Sequence, residues 1–351
     1  MTRSEFKPGL ESLRGLAALI VAINHGQSAM IVPDGAPQAF DWIIARLNPG
    51  SAVVIFFVLS GYVLGTSLSA DTNYVGYAVR RVLRIIPAFA FSVLFAAIAM
   101  WLVRPNMPPA AATAFFQSVF WPAPTWSDVW NNLVFADFRV NGPTWSILPE
   151  LVGSAFIPVV FMIHARVGKP LQWLVGGLVL AAMVASPYCR YLIYFYAGFF
   201  AVPGLVPLVA GRPLARTLIL LLGVVMLASF GNGNSSYSLK TIVPPAFGAT
   251  LLIAAIASTS YYILESAPLR FLGRISYSFY LLHWPIFYVC AIAVLACPGI
   301  VPVGFGGNLV IMVLSIGVTI VAAGISYRLI ERPFMDASKS FINRREPRAV
   351  G

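Results

Sequence analysis

The feature that most constrains this chain is the recurrence of long apolar runs separated by short basic ones. A helix crossing the hydrocarbon core of a bilayer, about 30 Å thick, needs roughly 20 predominantly apolar residues. Hydropathy marks ten such segments, at 12–32, 51–69, 82–103, 146–165, 171–187, 189–207, 214–230, 241–263, 275–297 and 307–329. Soluble domains carry roughly 25% charged residues. Here 10% are charged and 59% are hydrophobic, with a mean hydropathy of +0.83. That difference excludes a soluble protein with a large core. Backbone groups in lipid must be satisfied within each segment, so runs of this length form helices. The expected class is an all-α, polytopic integral membrane protein of about ten transmembrane helices.

Lys and Arg placement sets the orientation. With the N-terminus in the cytoplasm, 18 of the 23 basic residues fall in cytoplasmic segments and 5 in outer ones. Every cytoplasmic connection is then basic, which supports the span count and places both termini in the cytoplasm. Most of the net charge of +11 is accounted for in this way, so nucleic acid is not an expected partner; the lipid bilayer is. The run from Leu16 to Val32 reads as an uncleaved first span. The outer stretch 104–145 is rich in Trp, which prefers the membrane interface, and predicts a re-entrant or interfacial element. Cys189, Cys290 and Cys297 form no zinc spacing, and no metal is expected. The membrane domain runs over 1–334, followed by a short basic tail, 335–351.

The polar residues inside the apolar runs carry the chemistry. Arg14 and His25 lie eleven residues apart, three helical turns and about 16 Å along one face, with Glu11 on that same face. Arg14 fits a membrane-boundary anchor as well as a functional cation. An ionisable His well inside a span is a functional candidate by default. His25 lies about 20 Å from the cytoplasmic edge by helical rise. Glu150, counted from the outer edge of its span, lies at about 23 Å on the same scale. The two depths predict a His25–Glu150 pair, in which the carboxylate orients the imidazole and raises its basicity. Pro149 suits a first helical position, with Glu150 then near the positive end of the helix dipole. His283, eight residues into its span, is expected nearer the cytoplasmic half. Ser60 and Tyr62 fall near mid-depth in the second span, where Gly61 permits close helix approach.

Arg80, Arg81 and Arg84 at the start of the third span, Arg274 at the start of the ninth and Arg332 at the end of the tenth make a cationic cytoplasmic rim. Positive-inside bias accounts for such a rim. So does a site for a phosphate-rich ligand, to which the planar fork of Arg is suited.

Six blocks in order resemble the membrane acyltransferase 3 family. They are Glu11, Arg14, Gly15 and His25; Phe56-Phe57-x-Leu59-Ser60-Gly61; Arg81, Arg84 and Pro87; Trp145, Ser146 and Glu150; Leu272 to Pro285; and Ser326 to Phe334. The resemblance implies a multi-pass enzyme of the bacterial inner (cytoplasmic) membrane, with no fused SGNH domain. It implies transfer of an acyl group, most often acetyl from acetyl-CoA, to a hydroxyl of a carbohydrate such as O-antigen, exopolysaccharide or a lipo-oligosaccharide. His25 and Arg14 are then the catalytic pair, with Glu150 beside them and the five rim arginines on the donor. Glu11, Ser60, Tyr62, Trp145, Ser146, Tyr277 and His283 are supporting positions. Tyr62, Tyr277 and Ser146 are candidate donors to a tetrahedral oxyanion. Direct transfer and an acyl-histidine relay both fit. The sequence departs from the family at Glu11, where Asp is more usual, and at Leu148-Pro149 and Gly153-Ser154 around Glu150. Intramembrane His and Glu also serve proton coupling, so a transporter or flippase is the rival class. Transporters often show repeated halves, and none is visible here.

Overall fold

Helices begin where prolines and capping side chains meet the apolar runs. The computed structural model describes residues 7–28, 48–104, 114–185, 189–229, 239–296 and 305–343. Helix α1 (Pro8–Ser28) opens on a proline, whose missing N–H costs nothing in a first turn. Asn48 caps α2 (Pro49–Ala70), its side chain accepting from the Ser51 N–H at 3.2 Å. Asn73 does the same for α3 (Tyr74–Leu102), accepting from Gly76 at 2.8 Å.

Two short helices follow, α4 (Ala114–Phe120) and α5 (Trp126–Leu133). A 3₁₀ turn (Gly142–Ser146) leads into α6 (Ile147–His164). Then come α7 (Lys169–Ala185), α8 (Leu192–Val209), α9 (Pro213–Ser229), α10 (Leu239–Ser258), α11 (Ala267–Leu295) and α12 (Phe305–Ser326). A π turn (Tyr327–Glu331) joins α12 to the amphipathic α13 (Arg332–Asn343). No strand occurs among the described residues.

Among the described residues, each of the ten apolar segments falls mainly on a helix. Among the described residues, seven helical stretches are long and apolar enough to cross a membrane: α2, α3, Gly142–His164, α8, Thr241–Ser258, α11 and Asn308–Ile342. The other three are α1, which carries Glu11, Arg14, Asn24 and His25, and α7 and α9, with 17 described residues each. The span expected over 275–297 starts eight residues earlier, at Ala267, and the one expected from 82 starts at Tyr74. Both gain a basic N-terminal extension that a hydropathy window does not count. Pro149 is the third residue of α6 rather than the first, with Glu150 still in the first turn. The stretch 104–145 carries two short helices, α4 and α5. Residues 29–47 and 105–113, Cys297 and the tail beyond Asn343 lie outside the described residues.

The chain divides into two compact units. One draws on 1–17, 48–78 and 148–274, the other on 18–47, 79–147 and 275–351. The first unit is built on close backbone approach. A Cβ on Gly61 of α2 would strike the Phe195 backbone, and one on Gly198 of α8 would strike the Val58 carbonyl. At that crossing α8 widens into a π turn, Ala197–Ala201. Near the start of α11, a Cβ on Gly15 would lie 2.6 Å from the Gly273 nitrogen. Small residues of this kind replace the hydrophobic effect, which does not drive helices together in lipid. Tyr77 donates to the Ser154 carbonyl at 2.7 Å. That carbonyl lacks its helical donor because Pro158 has no N–H.

The second unit has an aromatic core. Phe116 and Phe120 of α4 pack with Met100 of α3, Trp284, Phe287 and Tyr288 of α11 and Ile311 of α12. Beside it lies a fully buried polar network around Asn141. The Asn141 N–H donates to Asn132 Oδ1 at 3.0 Å, Asn132 Nδ2 to Thr144 Oγ1 at 3.0 Å, and Thr144 Oγ1 to the Asn141 carbonyl at 2.6 Å. Asn141 Nδ2 donates to the Leu281 carbonyl at 2.9 Å. Pro285 supplies no N–H to Leu281, so the amide takes the place of the missing helical bond.

Candidate active site

His25, on the last turns of α1, belongs to the second unit and meets α11 there. Its Nδ1 lies 2.9 Å from Nε2 of His283. The two ring planes differ by only 20°, so the contact runs close to the plane of both imidazoles. Trp284 presents its ring nearly edge-on to His25, with centroids 5.1 Å apart and planes at 71°. Phe120 packs on that indole at 5.1 Å. The site thus has an imidazole pair with an aromatic wall supplied by α4 and α11.

His283 is 3% exposed and is held from its other side. Its Nδ1 lies 2.6 Å from the carbonyl of Tyr280, one turn back on α11. Tyr280 is anchored in turn: its hydroxyl donates to the Pro143 carbonyl at 3.0 Å and receives Ser146 Oγ at 3.0 Å. The 3₁₀ turn before α6 is therefore pinned to α11 one turn from the histidine pair. This turn carries Trp145, which is half-buried, and Ser146, which is buried.

His283 lies at the depth of His25, not at a different one as the span boundaries predicted. Because α11 begins at Ala267, the residue sits sixteen positions into its helix, and His25 sits seventeen into α1. The same count separates each histidine from the glycine of its helix that makes the Gly15–Gly273 approach: ten residues in both cases. The partner the structure gives the His25 ring is this second histidine.

The first unit holds Glu11, Arg14, Ser60, Tyr62, Glu150 and Arg274. Ser60 Oγ donates to Glu150 Oε1 at 3.0 Å, joining two blocks 90 residues apart in sequence. The Glu11 backbone carbonyl lies against Gly273. Arg14 and Tyr62 are half-buried, and Arg274 is exposed.

The remaining arginines are in the second unit. Arg80, Arg81 and Arg84 sit half-buried in the second and third turns of α3, not at its start. Arg332 is exposed, with Nε 3.6 Å from Asp336 one turn on. Its neighbour Glu331 points inward, 2% exposed, accepting from Ser278 at 3.0 Å. Of the three hydroxyls considered as oxyanion donors, two are engaged between elements: Tyr277 donates to the Ile85 carbonyl at 2.8 Å, and Ser146 to Tyr280. Asn141 and Asn132 lie outside every sequence motif, and Tyr280 and Trp284 lie inside the Leu272–Pro285 block without being singled out. Pro285 was the available signal for Asn141, because a proline inside a helix always leaves one carbonyl to be claimed.

Comparison with known proteins fixes the chemistry at the level of the family. The family described as Acyltransferase domain, Acyl_transf_3, matches residues 7–328. The chain belongs to that acyltransferase family. The chain is 26% identical to Acyltransferase MdmB of Streptomyces mycarofaciens, over 80% of this chain and 78% of that protein. It is 25% identical to the O-acetyl transferase of Shigella phage Sf6, over 45% of this chain and 47% of the phage protein. No solved structure matches. The acyltransferase match takes in both units, the histidine pair, the Ser60–Glu150 bond and all the candidate arginines except Arg332, which lies just beyond its last residue.

Proposed function

We propose that this acyltransferase is an O-acyltransferase of the bacterial inner membrane. It would move an acyl group, acetyl in the first instance, from acyl-CoA on the cytoplasmic side to a hydroxyl of a cell-surface or secreted glycan. The name of the phage relative supports acetyl and oxygen as the group and the acceptor atom. The observation that carries the reading is the His25 imidazole, placed on a mostly apolar helix and held by His283 and Trp284. A positioned imidazole is the commonest general base, and an ionisable group at this depth is expensive unless it is used.

In the proposed step, His25 takes the proton of the acceptor hydroxyl while the oxygen attacks the thioester carbonyl. The C–O bond forms, the C–S bond breaks, and the proton passes from the imidazolium to the CoA thiolate. Arg14 is retained as a catalytic candidate with His25, and Arg80, Arg81, Arg84, Arg274 and Arg332 are assigned to the anionic donor. Glu150, held by Ser60, is the second acid–base candidate. The ten-span arrangement with both termini in the cytoplasm belongs to the same proposal.

The test uses a deletion strain complemented with His25→Ala. The variant should insert and accumulate normally, while mass spectrometry of the surface glycans should show the acyl mass missing, as in the deletion strain. Retained acylation would sink the assignment of His25.

A further inference from the structure

We propose that His283 is a positioning residue that decides which nitrogen of His25 reacts. The inference rests on the reading of His25 as the acid–base group. It starts from a backbone carbonyl, which can only accept a hydrogen bond. The 2.6 Å contact with the Tyr280 carbonyl therefore puts the hydrogen of His283 on Nδ1. In a neutral imidazole the other nitrogen then carries the lone pair. His283 Nε2 presents that lone pair to His25 Nδ1 at 2.9 Å, so His25 Nδ1 carries a hydrogen and donates it. Neutral His25 is left with its lone pair on Nε2.

A chain of two hydrogen bonds thus runs from the α11 backbone to the ring on α1 and sets both tautomers. Free histidine prefers its hydrogen on Nε2, so His283 selects the minor form. The orienting group of an acid–base histidine is often a carboxylate; here it is neutral. It can share the charge of the imidazolium but, with its own Nδ1 committed to a carbonyl, it passes no proton onward. The small angle between the rings and the burial of His283 keep the two nitrogens aligned.

The protein has three histidines, so a nitrogen-15 NMR spectrum of histidine-labelled, full-length protein in detergent contains three rings. Wild-type His25 should show a protonated Nδ1 and a lone pair on Nε2. His283→Phe keeps the ring volume and removes the acceptor, and His25 should revert to the Nε2–H form. His283→Gln, which can still accept through its amide oxygen, should retain Nδ1–H. Surface-glycan acylation should fall roughly 10- to 100-fold in His283→Phe and be restored in large part by His283→Gln. A wild-type His25 already in the Nε2–H form overturns the proposal, and so does His283→Phe with wild-type acylation. If His283→Phe does not accumulate, the wild-type spectrum still decides. Acylation surviving in His25→Ala removes the base assignment itself, whereas an inactive His25→Ala beside a fully active His283→Phe removes only the positioning role.

Discussion

Single side chains in this protein settle questions that composition leaves open, and Asp128 is the plainest case outside the membrane-spanning helices. It closes a capping box at the start of α5: its carboxylate accepts from the Thr125 N–H and hydroxyl, both at 2.7 Å, while Thr125 accepts from the Asp128 N–H. Those bonds, the backbone one first, hold its carboxyl below the usual aspartate range, and Arg139 at 3.5 Å adds to this. A depressed carboxylate contributes stability above its unfolded pKa, about 3.9, and loses it as pH falls through the lower, folded value. Helix α5 should therefore hold its protection unchanged from neutral pH to about pH 4 and lose it below. Asp128→Asn should flatten that dependence. Trp126 and Trp130, 72% and 65% exposed on this helix, report it by fluorescence. An acid transition unchanged in the variant would remove Asp128 as its cause.

At the scale of elements, prolines and the side chains that compensate for them decide how the helices are joined. Pro285 frees the Leu281 carbonyl and Asn141 takes it. Asn141→Ala should strand that carbonyl in a fully buried site, at a cost of about 1–3 kcal/mol. Adding Pro285→Ala returns an N–H to the helix, so the double variant should recover part of the loss in thermal unfolding of the detergent-solubilised protein. Additive losses would show that Asn141 acts through its 3₁₀ turn alone. This coupling was not legible in the sequence: Pro285 was visible there, but nothing singled out Asn141 as its partner. Hydropathy located the ten long apolar helices, because the bilayer requirement acts on local composition, but not the short α4 and α5 or the amphipathic α13. It missed the basic first turns of α3 and α11, because those turns lie outside the apolar windows. That error of eight residues in α11 set His283 at the wrong depth and hid its contact with His25. Glu150 and Ser60 were both legible as polar residues within spans, but their mutual bond depends on a crossing of helices that no local pattern encodes.

The distribution of charge acts on the whole molecule. Most basic residues fall on one side of the proposed topology, and three of the few on the other side are held locally. The Arg104 guanidinium lies over the Trp121 ring at 5.2 Å and that of Arg190 over Tyr191 at 4.5 Å, while Arg139 meets Asp128. An arginine on the outer face costs least when its charge has a partner there, and under the proposed topology these three have one. The opposite orientation would carry the basic connections across the membrane, among them Arg166 and Lys169 at the junction of α6 and α7, against the bias that orients such proteins. Two exposed positions separate the alternatives: Ser127 on α5 and Gly168 before α7. In a background with Cys189, Cys290 and Cys297 replaced by Ser, Ser127→Cys should react with a membrane-impermeant maleimide in intact cells whose outer membrane has been permeabilised. Gly168→Cys should react only after the inner membrane is opened. The reverse pattern would place the arginines of α3 on the outer face, away from any cytoplasmic acyl-CoA, and would leave the proposed donor side without its cations.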